Sequence, residues 1–132
     1  MALNVPDVGE NLAVGAFVNK LTPENPVLRL YSNNITPADS DTAATYTEAT
    51  FAGYASITLT GASWSAPASG VTSFAQQTFT RSSTGATENI YGYYVTQVTS
   101  GILMWSERDA AAPAAMTNSG DNIKLTPTIG AN

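Results

Sequence analysis

The stretch that decides the fold runs from Ile90 to Glu107 and reads Ile-Tyr-Gly-Tyr-Tyr-Val-Thr-Gln-Val-Thr-Ser-Gly-Ile-Leu-Met-Trp-Ser-Glu. Two apolar, aromatic-rich runs flank a Thr-Ser-Gly turn, which predicts a β-hairpin. Aromatic and β-branched residues occur at both the odd and the even positions of each run. This pattern is typical of strands that are covered on both faces. Strand alternation places Tyr91 and Tyr93 on one face and Tyr94 on the other. We therefore expect this hairpin to form the centre of a β-sandwich.

The rest of the chain predicts an all-β fold, an antiparallel β-sandwich formed as a single domain by residues 1–132. Alternating or β-rich runs bounded by Gly and Pro predict strands over 27–32, 54–60, 63–65, 73–81, 90–98, 102–108 and 122–129. Residues 110–118, rich in Ala and Pro, are interpreted as a connector within that domain. The turn signals are closely spaced, as expected for many short strands.

Three segments depart from the strand pattern. Residues 10–21 have apolar side chains at near-helical spacing and predict one short N-terminal helix, with a strand over 12–18 as the alternative. Residues 1–9 are predicted to form an extended N-terminal arm. Residues 33–50 form a long polar loop, in which one helical turn is possible over 46–51. Loops of this length are usually functional or covered by a partner.

Charge is scarce in this chain and evenly spread. Charged residues make up 11% of the sequence and the formal net charge is -5, whereas soluble domains usually carry about a quarter. Such a surface suits an extracellular β-module or a protein covered by neighbours in an assembly. The dispersed basic residues argue against a nucleic-acid partner. No apolar stretch is long enough to cross a bilayer, and the absence of a basic residue before Lys20 argues against a signal peptide.

The sequence contains neither His nor Cys. The commonest general base, the commonest metal ligand and thiolate sites are therefore missing. A serine nucleophile could be activated only through Lys20 or Lys124, and no spacing favours either pair. We expect no enzyme, no catalytic residue, no cofactor and no metal.

Acidic pairs provide the remaining alternatives for a reactive or metal site. Glu107 with Asp109, or Asp39 with Asp41, could serve glycoside hydrolysis, although the first pair falls where a strand end meets solvent. Asp39-Ser40-Asp41 with neighbouring threonines has the oxygen ligands that Ca²⁺ prefers, but it lacks the EF-hand register. Both features are more typical of solvated polar segments.

Aromatic side chains support a further alternative, a carbohydrate-binding module. Such a module would stack sugars on exposed rings, and in a sandwich the same rings more often pack in the core or across strands. The candidates are Tyr54, Trp64, Tyr91, Tyr93, Tyr94 and Trp105.

The order of motifs resembles small phage capsid cement or decoration proteins over most of the chain. The matching motifs are Val-Pro-Asp-x-Gly-Glu (5–10), Leu-Arg-Leu-Tyr-Ser-Asn (28–33), Thr-Pro-x-Asp-x-Asp (36–41), Thr-Glu-Ala-x-Phe-x-Gly-Tyr (47–54), Ile-Tyr-Gly-Tyr-Tyr-Val-Thr (90–96) and Leu-x-Trp-x-Glu (103–107). These motifs are structural rather than catalytic in character.

The resemblance implies a jelly-roll-like β-sandwich, made in the host cytoplasm and bound to the outer surface of the virion capsid. Its expected partners are the major capsid protein, whose subunits it would clamp, and further copies of itself in a homodimer or homotrimer. A tail or baseplate component is the alternative within the virion. The arm and the long loop are expected to reach neighbours, through Val5, Pro6, Asp7, Glu10, Thr36, Pro37, Asp39, Asp41 and Tyr46.

Overall fold

A computed structural model describes residues 3–130 of the chain. Within that range a single α-helix accompanies eleven short strands. The elements are β1 (Leu3–Asn4), α1 (Asp7–Phe17), β2 (Pro26–Tyr31), β3 (Ile57–Thr58), β4 (Val71–Ser73), β5 (Gln77–Thr80), β6 (Glu88–Ile90), β7 (Gly92–Gln97), β8 (Leu103–Arg108), β9 (Ala114–Met116), β10 (Asn122–Leu125) and β11 (Thr128–Gly130). Short 3₁₀ turns occur at Ala43–Thr45 and Gly61–Ser63.

The centre of the molecule is a five-stranded antiparallel sheet with the order β1-β8-β7-β2-β3. Strand β7 lies between β8 and β2, and Tyr93 pairs with Glu107 on one side and Leu30 on the other. All six residues of β7 are buried. This confirms that the hairpin is the centre of the sheet and is covered on both faces, as its apolar pattern predicted.

A second layer packs on one face of this sheet. It consists of the antiparallel pairs β5–β10, β4–β11 and β6–β9. Buried side chains from both layers meet in the larger core, as in a β-sandwich. The larger core contains Leu28, Leu30, Ala49, Phe51, Leu59, Phe74, Phe79, Ile90, Tyr93, Val95, Trp105 and Met116.

The opposite face of the sheet carries a smaller core, which we call the tyrosine cluster: Tyr31, Tyr46, Tyr94 and Leu103. The loop 33–50 and Val8 of α1 cover this cluster. The rings of Tyr46 and Tyr94 stack with centroids 4.9 Å apart. A large part of the long loop is therefore packed against its own sheet.

One face assignment in the hairpin is wrong. Tyr91 packs with the tyrosine cluster, on the side of Tyr94 and not of Tyr93. The reason is that the predicted strand 90–98 is interrupted between β6 and β7, at Tyr91. This interruption reverses the alternation, since Ile90 and Tyr93 both face the larger core.

Several predicted segments are divided or shortened. The strands predicted over 73–81 and 122–129 each consist of two short strands, and only Ile57–Thr58 remains of the strand over 54–60. Pro127 separates β10 from β11, where its missing N–H is tolerated.

Three other local predictions also need correction. In the segment 63–65, Trp64 makes only an isolated bridge to Phe74. The helical turn in the long loop lies at Ala43–Thr45, not at 46–51. The connector 110–118 includes β9, which pairs with β6.

The helix begins earlier and ends earlier than predicted. It starts at Asp7, directly after Pro6 in an extended conformation, so the arm predicted over 1–9 is extended only to Pro6 within the described residues. Asn19 adopts a positive φ of 58° and ends the helix. The Lys20 N–H donates to the Gly15 carbonyl and the Asn19 N–H to the Ala16 carbonyl, which is the Schellman pattern.

The architecture confirms an all-β antiparallel sandwich with one short N-terminal helix. The jelly-roll form of that sandwich stays a prediction.

Candidate partner-binding surface

Helix α1 lies close against the edge of the central sheet. Gly9 is buried, and a Cβ atom at this position would collide with the main-chain carbonyl of Met104 in β8. Only glycine permits this close approach of helix and strand. Val8 on the same side of the helix packs against the tyrosine cluster. These contacts fix which side of α1 faces the sheet.

The other side of the helix exposes a stripe of large apolar side chains. Phe17 is 91% exposed, Val18 65%, Val14 64% and Leu21 45%. Val14 and Phe17 lie one turn apart on the helix, Val18 is its C-cap residue and Leu21 follows just beyond its end; we call these four residues the α1 apolar face. Single exposed apolar residues are ordinary, whereas four large ones close together in the chain make this surface a candidate for contact with another molecule.

A groove of about 1090 Å³ runs between α1 and the β4–β11 pair. We call it the α1–β11 groove. Its walls are mostly apolar, and Glu10 is the only charged residue among those that line it. The lining residues are Val5, Glu10, Ala13, Val14, Phe17, Pro67, Gly70, Val71, Thr72, Ile129 and Gly130. The groove is thus continuous with the α1 apolar face through Val14 and Phe17.

Two smaller cavities differ from this groove. A cavity of about 30 Å³ inside the larger core, beside Tyr93, has room for about one water molecule. A depression of about 370 Å³ with a mixed lining lies between β1 and the long loop, beside Arg108. The Arg108 guanidinium donates to the Ile35 carbonyl at 2.7 Å and to Asn34 Oδ1 at 2.8 Å. Its charge is therefore already engaged in holding the loop.

The predicted partner residues of the N-terminal segment and the long loop contact each other. The Asp7 N–H donates to the Asp39 carbonyl at 2.9 Å, and Asn4 Nδ2 donates to the Ala38 carbonyl at 3.1 Å. Thr36 and Pro37 border the depression beside Arg108. The segment and the loop thus form one continuous surface beside β8.

Burial separates the nine predicted partner residues into two groups. Pro6, Asp41 and Tyr46 are buried within the chain, so their side chains support the loop from inside. Val5 and Glu10 line the α1–β11 groove. The exposed members of the set stay predicted partner contacts.

Asp41 and Tyr46 form a buried hydrogen-bond network. The Tyr46 hydroxyl donates to Asp41 Oδ2 at 2.7 Å and lies 2.8 Å from Ser106 Oγ. The same Asp41 oxygen accepts the Ala38 N–H at 2.9 Å. Burial, together with the carboxylate of Asp41, raises the pKa of Tyr46 above its ordinary value. The candidate Ca²⁺ segment therefore uses one of its two carboxylates to hold the loop on the sheet.

The other acidic candidates also make structural contacts. Glu107 Oε2 accepts the Tyr93 hydroxyl at 2.7 Å, across the β7–β8 pair. Asp109 Oδ1 accepts the Ala111 N–H at 2.8 Å and so caps a turn. Within residues 3–130 no three His, Cys, Asp or Glu residues come together as a metal-binding group.

The candidate aromatic platform is divided between the two faces of the central sheet. Tyr93 and Trp105 are buried in the larger core, with Trp64 in edge contact with Trp105 at 6.2 Å between ring centroids. Tyr94 and Tyr91 belong to the opposite side. These rings therefore do not share one surface.

The chain matches no protein-family model. It matches no curated protein either. Across the described residues 3–130, no helix has the length and apolar character needed to cross a membrane.

The α1–β11 groove was not identified from the sequence. The spacing of Val14, Phe17, Val18 and Leu21 was a usable signal, because it is the pattern of an amphipathic helix. The pattern alone does not say whether that face is buried or exposed. The decisive feature is Gly9, which turns the opposite side of α1 toward β8.

Proposed function

We propose that this chain is a non-enzymatic phage virion structural protein that decorates the capsid and stabilises the head. In this proposal it binds across major capsid protein subunits on the outer surface of the shell, as a homodimer or homotrimer. The observation that carries the proposal is the α1 apolar face, with Phe17 91% exposed beside a wide apolar groove. A surface of this kind is suited to holding another protein.

The motifs behind the resemblance support a scaffolding role. Arg29 of one motif forms an ion pair with Glu48 of another, in which its Nη1 donates to both carboxylate oxygens, at 2.8 and 3.0 Å. Tyr93 and Glu107 connect two further motifs by a hydrogen bond of 2.7 Å. Residues that bind one another in this way hold the loop and strands in register. Their polar groups are committed to the fold and not gathered at a reactive centre.

The burial pattern supports an adhesive mechanism. The central sheet is covered on both faces, so its strands form a rigid support. The close contact of Gly9 with β8 holds the main chain of α1 in place, which reduces the entropic cost of docking. Shape and apolar contact would account for most of the affinity, because few charges are present to contribute.

Co-sedimentation with isolated heads tests this proposal. We expect the wild-type chain to pellet with heads built from the major capsid protein of the same phage. Phe17→Ser should reduce the bound fraction strongly, because a large exposed apolar side chain is lost from the interface. Val98→Ser is the matched control, since Val98 is 49% exposed and lies outside the groove.

Two results would contradict the proposal. Failure of the wild-type chain to bind heads would remove the capsid role, and labelling of intact virions on the tail instead of the head would favour the tail alternative. Equal loss of binding in Phe17→Ser and Val98→Ser would show that the α1 apolar face is not the contact.

A further inference from the structure

The direction of the main-chain groups in β11 can be read from its partner strand. The Phe74 N–H donates to the Pro127 carbonyl, so this pair is hydrogen-bonded. Hydrogen-bonded and non-hydrogen-bonded pairs alternate in antiparallel sheets. In the register of β4 and β11, Ile129 opposite Thr72 is therefore the next hydrogen-bonded pair. The N–H and C=O groups of Thr128 and Gly130 point away from β4.

The hydrogen bonds on the far side of β4 agree with this reading. Val71, which lies opposite Gly130, exchanges hydrogen bonds with Ala68, at 2.9 and 3.0 Å. The carbonyl of Ser73, which lies opposite Thr128, accepts the Ser65 N–H at 2.8 Å. Both residues of β4 thus direct their main-chain groups away from β11.

The outer edge of β11 is open among residues 3–130. No hydrogen bond to another described residue involves the main-chain N–H or C=O of Thr128 or Gly130. Both residues are exposed. An edge of this kind can accept a further strand through main-chain hydrogen bonds.

The residues that line the α1–β11 groove indicate which kind of segment would bind there. Ile129 and Gly130 line it together with Val14 and Phe17 of α1. A segment that pairs with the open edge of β11 and continues into the groove would meet the apolar side chains of Val14 and Phe17. Glu10 supplies the one charge in the lining, so a Lys or Arg in the occupant would be favoured there.

We propose that the α1–β11 groove binds an extended segment of a partner protein as an additional strand on β11. The segment carries apolar residues at alternate positions and a basic residue that meets Glu10. This inference rests on the proposed function in one respect only, which is that it takes the capsid shell as the source of the segment. The site and the class of occupant follow from the edge and the groove.

Random linear peptides displayed on a library provide the probe. We expect selection on the wild-type chain to enrich peptides with alternating apolar residues and a Lys or Arg. A synthetic peptide from that set should lose at least about tenfold in affinity for Phe17→Ser, since a buried aromatic contact disappears. Val98→Ser should bind it unchanged. If no sequence is enriched, or if both variants bind equally, the inference is wrong.

Amide hydrogen exchange tests the strand addition itself. On binding the peptide, exchange at Thr128 and Gly130 should slow at least about tenfold, because their N–H groups gain partners. Exchange at Ile129 should change little, as its N–H already faces β4. Binding without protection of Thr128 and Gly130 would overturn strand addition. Gly130→Pro, which removes one outward N–H, should weaken the same peptide while Ile129 remains protected.

A second copy of this chain is the competing occupant. Equilibrium sedimentation of the wild-type chain and Phe17→Ser separates the two cases. A wild-type oligomer that Phe17→Ser converts to a monomer would overturn the inference. If heads fail to bind but the peptide still protects Thr128 and Gly130, the capsid role falls and the groove inference stands. If Gly130→Pro and Phe17→Ser both bind heads as well as the wild-type chain does, the groove inference is wrong, while a capsid role through another surface stands.

Discussion

Removing one hydroxyl from each of two neighbouring tyrosines should change stability in opposite directions. Tyr31 and Tyr46 lie in the same cluster, with ring centroids 5.0 Å apart. The Tyr46 hydroxyl hydrogen-bonds to Asp41 and Ser106, whereas the fully buried Tyr31 hydroxyl has no partner among the described residues. Tyr31→Phe and Tyr46→Phe therefore make the same chemical change in two different environments.

The expected magnitudes follow from the contacts. Tyr46→Phe deletes two buried hydrogen bonds, one of them to a carboxylate, and leaves the buried Ser106 hydroxyl without its partner. At about 1 to 3 kcal/mol for a buried group left unsatisfied, the free energy of unfolding should fall by about 3 kcal/mol. Tyr31→Phe removes a hydroxyl whose burial is uncompensated, so it should raise the free energy of unfolding by about 1 kcal/mol.

Urea unfolding followed by tryptophan fluorescence and circular dichroism measures both changes. The urea concentrations at the midpoints of unfolding should move in opposite directions for the two variants. The slope of the free energy of unfolding against urea concentration should stay unchanged. In a chain of this size, about 1 kcal/mol corresponds to a change of about 4 °C in Tm. If Tyr31→Phe lowers stability by more than about 1 kcal/mol, its hydroxyl is bonded in solution and the reasoning fails.

Three further predictions concern alkaline pH and close packing. Burial raises the pKa of Tyr31 to about 12 from an ordinary 10, so the folded state holds a proton above pH 10 that the unfolded state releases. Below pH 10 such a tyrosine leaves the free energy of unfolding independent of pH, and as the pH rises above 10 it lowers that free energy by about 1.4 kcal/mol per pH unit until its folded-state pKa is reached. The tyrosines with raised pKa values are Tyr31, Tyr46, Tyr54, Tyr93 and Tyr94. Phenolate absorbance should rise together with the loss of near-ultraviolet circular dichroism, and ionisation of all tyrosines near pH 10 in a folded protein would contradict this. Gly92→Ala should cost about 2 kcal/mol in urea unfolding, because the new Cβ meets Tyr31 and a main-chain carbonyl, whereas Gly61→Ala has open space and should be neutral. Gly9→Ala should displace α1 from Met104. The fraction of protein bound to heads should then fall by a larger proportion than the urea concentration at the midpoint of unfolding. A bound fraction equal to that of the wild-type chain would count against the role of α1.

The fold class and the central hairpin were predictable from the sequence because burial on both faces has a clear signature in β7. Strand boundaries were less predictable where main-chain geometry interrupts a run of residues that favour a β-strand. The interruption at Tyr91 reversed one face assignment, and Pro127 divided a run that otherwise alternates cleanly. The break at Pro127 is marked in the sequence by a residue without an N–H, whereas the interruption at Tyr91 is not visible without tertiary contacts.

The candidate surface was only partly predictable from the sequence. Val5 and Glu10 were expected at an interface and do line the groove. Asp41 and Tyr46 were expected to reach outward, but their polar groups satisfy each other and hold the loop on the sheet. The sequence of a polar loop that buried hydrogen bonds hold on a sheet is similar to the sequence of a loop that extends into solvent.

The strand order of the central sheet has a consequence for how the chain folds. Strand β2 pairs with β7, and β1 pairs with β8, so the sheet joins the two halves of the chain. Such non-local pairing is slow, since long loops must close before the contacts stabilise them. Strands β7 and β8 are separated only by a short turn, so we expect their hairpin to form before the non-local pairs. During synthesis, β2 must wait with its apolar residues uncovered until that hairpin emerges, which makes the interval before β7 appears the period of greatest risk of aggregation.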